Sequence, residues 1–144
     1  MNILELRRKE EDLRLKPYRC TAGKLTIGIG RNLDDKGITK EEAEYLCRND
    51  IANAEAVAIK TFGGRDWSSW EEPRRAAILS MIFQLGEGGF KSFKATIQCL
   101  TEHRWADAAA NMLKSKWAAQ TPARVNRAAA MVSTAEWPTK DWGC

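Results

Sequence analysis

The chain has 144 residues, 44% apolar and 29% charged, the size and balance of one globular domain, which excludes disorder, collagen and coiled coil. No run approaches the roughly 18 apolar residues that a membrane span requires, and Met1–Leu15 is too charged for a signal peptide, so the chain reads as cytoplasmic in origin with no secretion signal of its own. The net charge is +4, but residues 1–72 carry 13 basic and 14 acidic side chains while residues 73–144 carry 10 and 5, a second half that attracts polyanions such as nucleic acid, acidic headgroups or an anionic wall polymer.

Asn2 and Glu5 stand at capping-box spacing, predicting a short helix over about 3–12 with Ile3, Leu6 and Leu13 facing inward. Pro17 ends any helical run. Tyr18–Cys20 reads as strand, Thr21-Ala22-Gly23 as turn, and Leu25–Gly30 as a second strand. In that strand Leu25, Ile27 and Ile29 share one face, and Thr26, Gly28 and Gly30 the other. Glycines along a strand face either leave room for something to approach closely or mark a bend. Thr39 and Glu42 form a second capping box. A long helix over about 40–60 follows, with Ala43, Leu46, Cys47, Ile51, Ala54, Val57 and Ala58 at helical spacing, broken at Gly63-Gly64.

No further strand is signalled. Helical segments recur at about 72–85, 93–101, 104–113 and 122–133, with breaks at Gly86–Gly89, near His103 and at Thr121-Pro122. Thr121 as cap and Pro122 at the first helical position make a good start for the last of these. The elements segregate, so the class is α+β, mostly helical. We expect one domain, 1–144, with a small β-hairpin lobe over about 13–38. A linking helix over about 39–60 joins it to a helical lobe over about 65–137 that also takes the first helix.

The four cysteines form no CxxC pair, and with a single histidine there is no zinc signature; free thiols, no metal and no cofactor are expected. Cys47 and Cys99 read as packing, and Cys144 has no assignment. His103 lies among polar neighbours and reads as exposed. There is no phosphate loop, dinucleotide fingerprint or HExxH. Carboxylates are the remaining route to chemistry: Glu10, Glu11 and Asp12 close the first helix just before the hairpin, where acids could do general acid/base work on a glycosidic bond. A charged helix end is the plainer alternative.

Glu11, Cys20 and Thr26 form Glu-x8-Cys-x5-Thr, ending inside Leu25-Thr26-Ile27-Gly28-Ile29-Gly30. This resembles the T-even bacteriophage lysozymes, glycoside hydrolase family 24. Their signature is a glutamate, eight residues, an aspartate (in some members a cysteine), five residues and a threonine in TIGxG. Met1-Asn2-Ile3, Ile38-Thr39-Lys40, Ala43-Glu44, Arg74–Ile78, Phe83-Gln84, Gly86-Glu87, Arg104-Trp105 and Gln120-Thr121-Pro122 extend the likeness over nearly the whole chain, in order.

The resemblance implies a lysozyme-like fold and hydrolysis of the β-1,4 bond between N-acetylmuramic acid and N-acetylglucosamine. Glu11 would be the general acid, which works only if its surroundings keep it protonated near neutral pH. Thr26 would hold the attacking water. Cys20 stands where the family more often has aspartate, as base, weak water ligand, nucleophile or inert packing residue. A thiol activates water only as thiolate, and its ordinary pKa is about 8.5; Arg19 would lower it and Glu11 would raise it. Leu33, Phe83, Gln84, Thr96, Asn111 and Arg124 match substrate-contact positions; for Gln84 the alternative is a capping role at the Gly86 break. Lys114, Lys116, Arg124 and Arg127 would meet the stem carboxylates of peptidoglycan.

Between Gly30 and Ile38 the chain is shorter than many members, and Arg31 stands where many have histidine. The resemblance implies an endolysin, monomeric, held in the host bacterial cytoplasm until released to the wall. It would depend on a separate holin-type permeabilising protein, bind peptidoglycan and not nucleic acid, and make no stable membrane insertion. The competing readings are a lytic transglycosylase and an inactive wall-binding or nucleic-acid-binding module.

Overall fold

The computed structural model describes residues 1–139. Among them are eight helices and three short strands, the mostly helical α+β class that the sequence predicts. The chain divides into two compact units, the first Met1–Cys47 and the second from Arg48 onward.

In the first unit, α1 covers Ile3–Glu10. Its capping box forms as expected, Glu5 N donating to Asn2 Oδ1 at 3.0 Å and Asn2 N to Glu5 Oε2 at 2.9 Å. The helix stops short of the predicted 12 because Glu11 is extended, with φ −115° and ψ 123°. None of the residues of α1 is buried and Leu13 beyond it is exposed as well, so the inward packing expected of Ile3, Leu6 and Leu13 is not found. Strands β1 (Arg14–Arg19), β2 (Leu25–Gly28) and β3 (Arg31–Asn32) form an antiparallel sheet in chain order. β1 begins four residues before the predicted Tyr18. Pro17 fits inside it because β1 is an edge strand and its register against β2 shifts between Arg14 and Tyr18. β2 ends at Gly28 rather than Gly30, since both glycines have φ +72° and turn the chain into the unforeseen β3.

Helix α2, Lys40–Phe62, starts on the predicted capping box. Glu42 N donates to Thr39 Oγ1 at 3.1 Å, and Thr39 N to Glu42 Oε2 at 2.9 Å. Arg31 grips the same carboxylate with both arms at 2.6 Å and also donates to Gly37 O at 3.2 Å. The short connection from β3 is thereby tied to the first turn of α2, and Glu42 is held down to about 2, chiefly by the Arg31 hydrogen bonds. Leu46, Cys47 and Ile51 are exposed. The packing role expected of Cys47 is therefore corrected: the buried stripe of α2 starts at Ala54 and continues at Ala58, where the helix joins the core of the second unit.

The second unit continues with α3 (Gly64–Ser69), α4 (Glu72–Lys91), α5 (Lys94–Thr101), α6 (Trp105–Leu113), α7 (Lys116–Gln120) and α8 (Pro122–Thr134). α8 packs against α4 and α6. Ile78 and Met81 of α4, Leu100 of α5, Met112 of α6, and Val125 and Val132 of α8 are fully buried, each side chain contributing about 1.5–3 kcal/mol by leaving water. α4 is interrupted at Gly86 (φ +73°) as predicted, but helix resumes beyond it to Lys91. α3 and α7 were not foreseen; each seats one buried tryptophan, Trp67 and Trp117. Pro122 opens α8, but the Thr121 hydroxyl donates back to Trp117 O at 3.2 Å instead of capping the new helix. His103 is exposed, as read from its neighbours, and its Nε2 lies 2.9 Å from Asp66 Oδ1. No described helix is long and apolar enough to cross a membrane. Cys144 lies outside the described residues.

Candidate active site

Glu11 is the residue on which α1 ends. Its backbone N–H still closes on Arg7 O at 2.8 Å, but its extended backbone carries the chain away toward β1. The half-buried side chain lies against the β2–β3 turn at Gly30. A Cβ at position 30 would sit 2.9 Å from Glu11 Cδ, 3.0 Å from Cγ and 3.2 Å from Oε2, distances that only an absent side chain permits. The room anticipated along the glycine face is therefore occupied by the Glu11 carboxyl. On its other side Arg7, one turn back, donates from Nη2 to Glu11 Oε1 at 3.1 Å and from Nη1 to Glu10 Oε2 at 3.2 Å.

Thr26 alone is buried among residues 1–47, all of which are described. A buried hydroxyl requires a partner, and its Oγ1 donates to Lys24 O at 2.9 Å. Cys20 opens the loop between β1 and β2, with its N–H on Lys24 O at 3.0 Å and its carbonyl taken by Gly23 N at 2.8 Å. The half-buried thiol is held below its ordinary value by backbone hydrogen bonds, first at Lys24 and then at Ala22. Desolvation opposes the shift and the Thr26 hydroxyl adds to it. The charges weighed from the sequence are not the cause. The Arg19 guanidinium is turned to Gly23 O at 3.2 Å and Asp34 Oδ2 at 3.4 Å.

The remaining predicted positions are spread over both units. Leu33, half-buried just after β3, donates from its N–H to Leu25 O at 2.7 Å. Phe83 is 54% exposed on α4 and borders a recess of ≈ 450 Å³ with Asp50, Asn53 and Glu87. Gln84 accepts from the buried Trp117 indole N–H at 2.8 Å, so its amide supports α7 rather than the Gly86 break. Gln84 and Arg124 come together on a second recess of ≈ 350 Å³. Thr96 is buried in α5, and Asn111 Nδ2 donates to Cys99 Sγ at 3.6 Å. Cys99 is buried, as its packing role predicts. Among the described residues no group of three or more His, Cys, Asp or Glu could hold a metal ion. Arg7 was missed, although its i,i+4 spacing to Glu11 is a signal that could have found it.

The profile of the phage lysozyme family matches residues 8–133, a span that takes in Glu11, the hairpin and almost all of the helices. The chain belongs to the phage lysozyme family, and is T4-type within it. Probable T4-type lysozyme 1 of Dictyostelium discoideum is 29% identical over 164 residues, covering 92% of this chain and 94% of that protein. The pre-baseplate central spike protein Gp5 of Enterobacteria phage T4 is 29% identical over 160 residues, 93% of this chain but 28% of Gp5. An endolysin of Acyrthosiphon pisum secondary endosymbiont phage 1 is 36% identical over 94 residues, 60% of this chain and 59% of that protein. This family member is a lysozyme-type cell-wall hydrolase, a glycoside hydrolase by class.

Proposed function

We propose that the protein is an endolysin that hydrolyses the β-1,4 bond between N-acetylmuramic acid and N-acetylglucosamine in peptidoglycan, with Glu11 as general acid. The observation that carries this reading is the lodging of the Glu11 carboxyl against Gly30, at distances no side chain there would allow. A carboxylic acid delivers its proton to the leaving oxygen only from a fixed position within hydrogen-bond reach.

In this mechanism the Glu11 proton passes to the glycosidic oxygen as the bond from the anomeric carbon of the muramic residue breaks. A water molecule held by Thr26 Oγ1 adds its oxygen to that carbon, and its proton goes to the Cys20 thiolate. Solvent then carries that proton from the Cys20 thiol to the Glu11 carboxylate, which restores both groups. The hairpin donors that hold the Cys20 thiol below its ordinary value support this role for a thiol where a carboxylate is more usual. Leu33, Phe83, Gln84, Asn111 and Arg124 are the proposed substrate contacts; Thr96, expected among them, is buried in α5 and is withdrawn. Lys114, Lys116 and Arg124, all exposed, would attract the carboxylates of the wall.

The biological reading is host-cell lysis by a monomer that waits in the bacterial cytoplasm and reaches the wall once a separate holin-type protein has permeabilised the membrane. It requires no cofactor, metal or nucleic acid. The test is clearing of outer-membrane-permeabilised bacteria by Glu11→Gln, which keeps the shape but cannot donate a proton. Folded Glu11→Gln should lose about 10²–10⁴-fold in rate; wild-type-like clearing would refute the mechanism. Mass spectrometry of the products should show reducing muramic ends, whereas anhydro ends would make the enzyme a transglycosylase.

A further inference from the structure

We infer that Arg7 is a positioning residue for the acid, an inference that rests on the reading of Glu11 as proton donor. Glu11 follows the last residue of α1 in extended conformation, so the helix does not hold its side chain. That side chain remains 38% exposed, and an exposed carboxyl turns freely unless something grips it. Two contacts do so from different sides. Gly30 admits Cγ, Cδ and Oε2 against the β2–β3 turn, and Arg7 Nη2 donates to Oε1 at 3.1 Å.

The two carboxyl oxygens are thereby made different. Oε1 is engaged by a guanidinium, a group that donates hydrogen bonds and accepts none. Oε2 lies on the Gly30 side, apart from the arginine contact. The guanidinium is itself steadied by its second arm on Glu10 Oε2 at 3.2 Å, a fork that uses the fixed plane of the arginine head. An exposed i,i+4 pair of this kind adds little to stability. Its consequence lies in where the carboxyl is held, and small displacements of a reacting group are costly in rate.

The experiment uses the full chain with Arg7→Met, Arg7→Lys and Glu11→Gln. The readouts are kcat and KM on soluble uncrosslinked peptidoglycan chains, with Tm measured alongside. Arg7→Met should lower kcat about five- to tenfold with KM unchanged, at a Tm within a degree or two of wild type. Arg7→Lys should recover most of that loss, because one ammonium donor still reaches one oxygen. A kcat for Arg7→Met within about twofold of wild type, or a loss carried by KM alone, would overturn the assignment. A normal kcat in Arg7→Met beside an inactive Glu11→Gln overturns Arg7 only. A fully active Glu11→Gln overturns the acid, and Arg7 with it.

Discussion

Substituting alanine at Gly30 separates the placement of Glu11 from the stability of the hairpin. Gly28 and Gly30 both have φ +72°, a conformation that costs an L-residue about 1–2 kcal/mol. Either alanine variant carries that cost, a fall of about 2–8 °C in Tm for a chain of this size. At Gly28 the added methyl meets nothing within 4 Å. At Gly30 it would stand 2.9 Å from Glu11 Cδ, and the carboxyl carbon has to retreat by the difference, about 0.5 Å, to reach ordinary contact at 3.4 Å. Because the carboxyl is the free end of a flexible side chain, it can swing away at little further cost to the fold, and the strain emerges as a misplaced acid. A displacement of about 1 Å costs on the order of 10²-fold in rate, so half of it should cost about tenfold. Clearing of permeabilised bacteria at matched folded fraction should therefore fall about tenfold or more for Gly30→Ala and less than about twofold for Gly28→Ala, while the two lose similar Tm. Equal activities for the two variants would refute the argument that Gly30 is glycine for the sake of Glu11.

Four further outcomes can be measured directly. Cys20→Ser should lose most activity and Cys20→Asp keep much of it, since only the carboxylate ionises in the working range; full activity in the serine variant removes the thiolate role. Alkylation of Cys20 should inactivate, with a rate midpoint below that of an ordinary thiol because backbone donors at Lys24 and Ala22 favour the thiolate. Glu42 is held at about 2 against an ordinary 4.5, chiefly by Arg31. Its stabilising contribution is thus complete above pH 4.5 and lost as pH falls through about 2; Arg31→Met should unfold at higher pH in an acid titration followed by circular dichroism, and an unmoved midpoint would count against the clamp. Gln84→Leu strands the buried Trp117 indole N–H and should cost about 1–3 kcal/mol, whereas Gln84→Glu keeps an acceptor and should cost less. A Leu variant as stable as wild type by thermal melt would show that the indole finds another partner.

What was legible in the sequence was whatever chain neighbours decide among themselves. The capping boxes Asn2/Glu5 and Thr39/Glu42 are three-residue patterns, and both form with both hydrogen bonds. The glycine break at Gly86 and the proline start at Pro122 are likewise single-residue backbone constraints. The misses share the opposite character. α3 and α7 run for six and five residues, too short for periodicity to register. Each is held by a tryptophan whose indole N–H reaches a side chain distant in sequence, Trp67 to Glu55 and Trp117 to Gln84. Cys47 has the right spacing for a buried stripe, but burial begins only where α2 meets the second unit's core at Ala54.

The candidate site divides along the same line. Glu11, Cys20 and Thr26 are readable as a spacing, and the glycine face beside Thr26 is readable as vacant room. That Glu11 fills the room is set by the way the end of α1 meets the turn after β2, which no local pattern encodes. Cys20 carries the sharper lesson. Weighing Arg19 against Glu11 treats the thiol as a group among point charges along the chain, whereas the hairpin governs it through hydrogen bonds that exist only once β1 and β2 have paired. An aspartate at this position needs no such donors to ionise at neutral pH, its ordinary value being about 3.9. A cysteine needs donors to become a base, and the loop at Ala22–Lys24 together with Thr26 supplies them. The exchange of carboxylate for thiol therefore ties the chemistry at position 20 to the integrity of this hairpin, more tightly than an aspartate would.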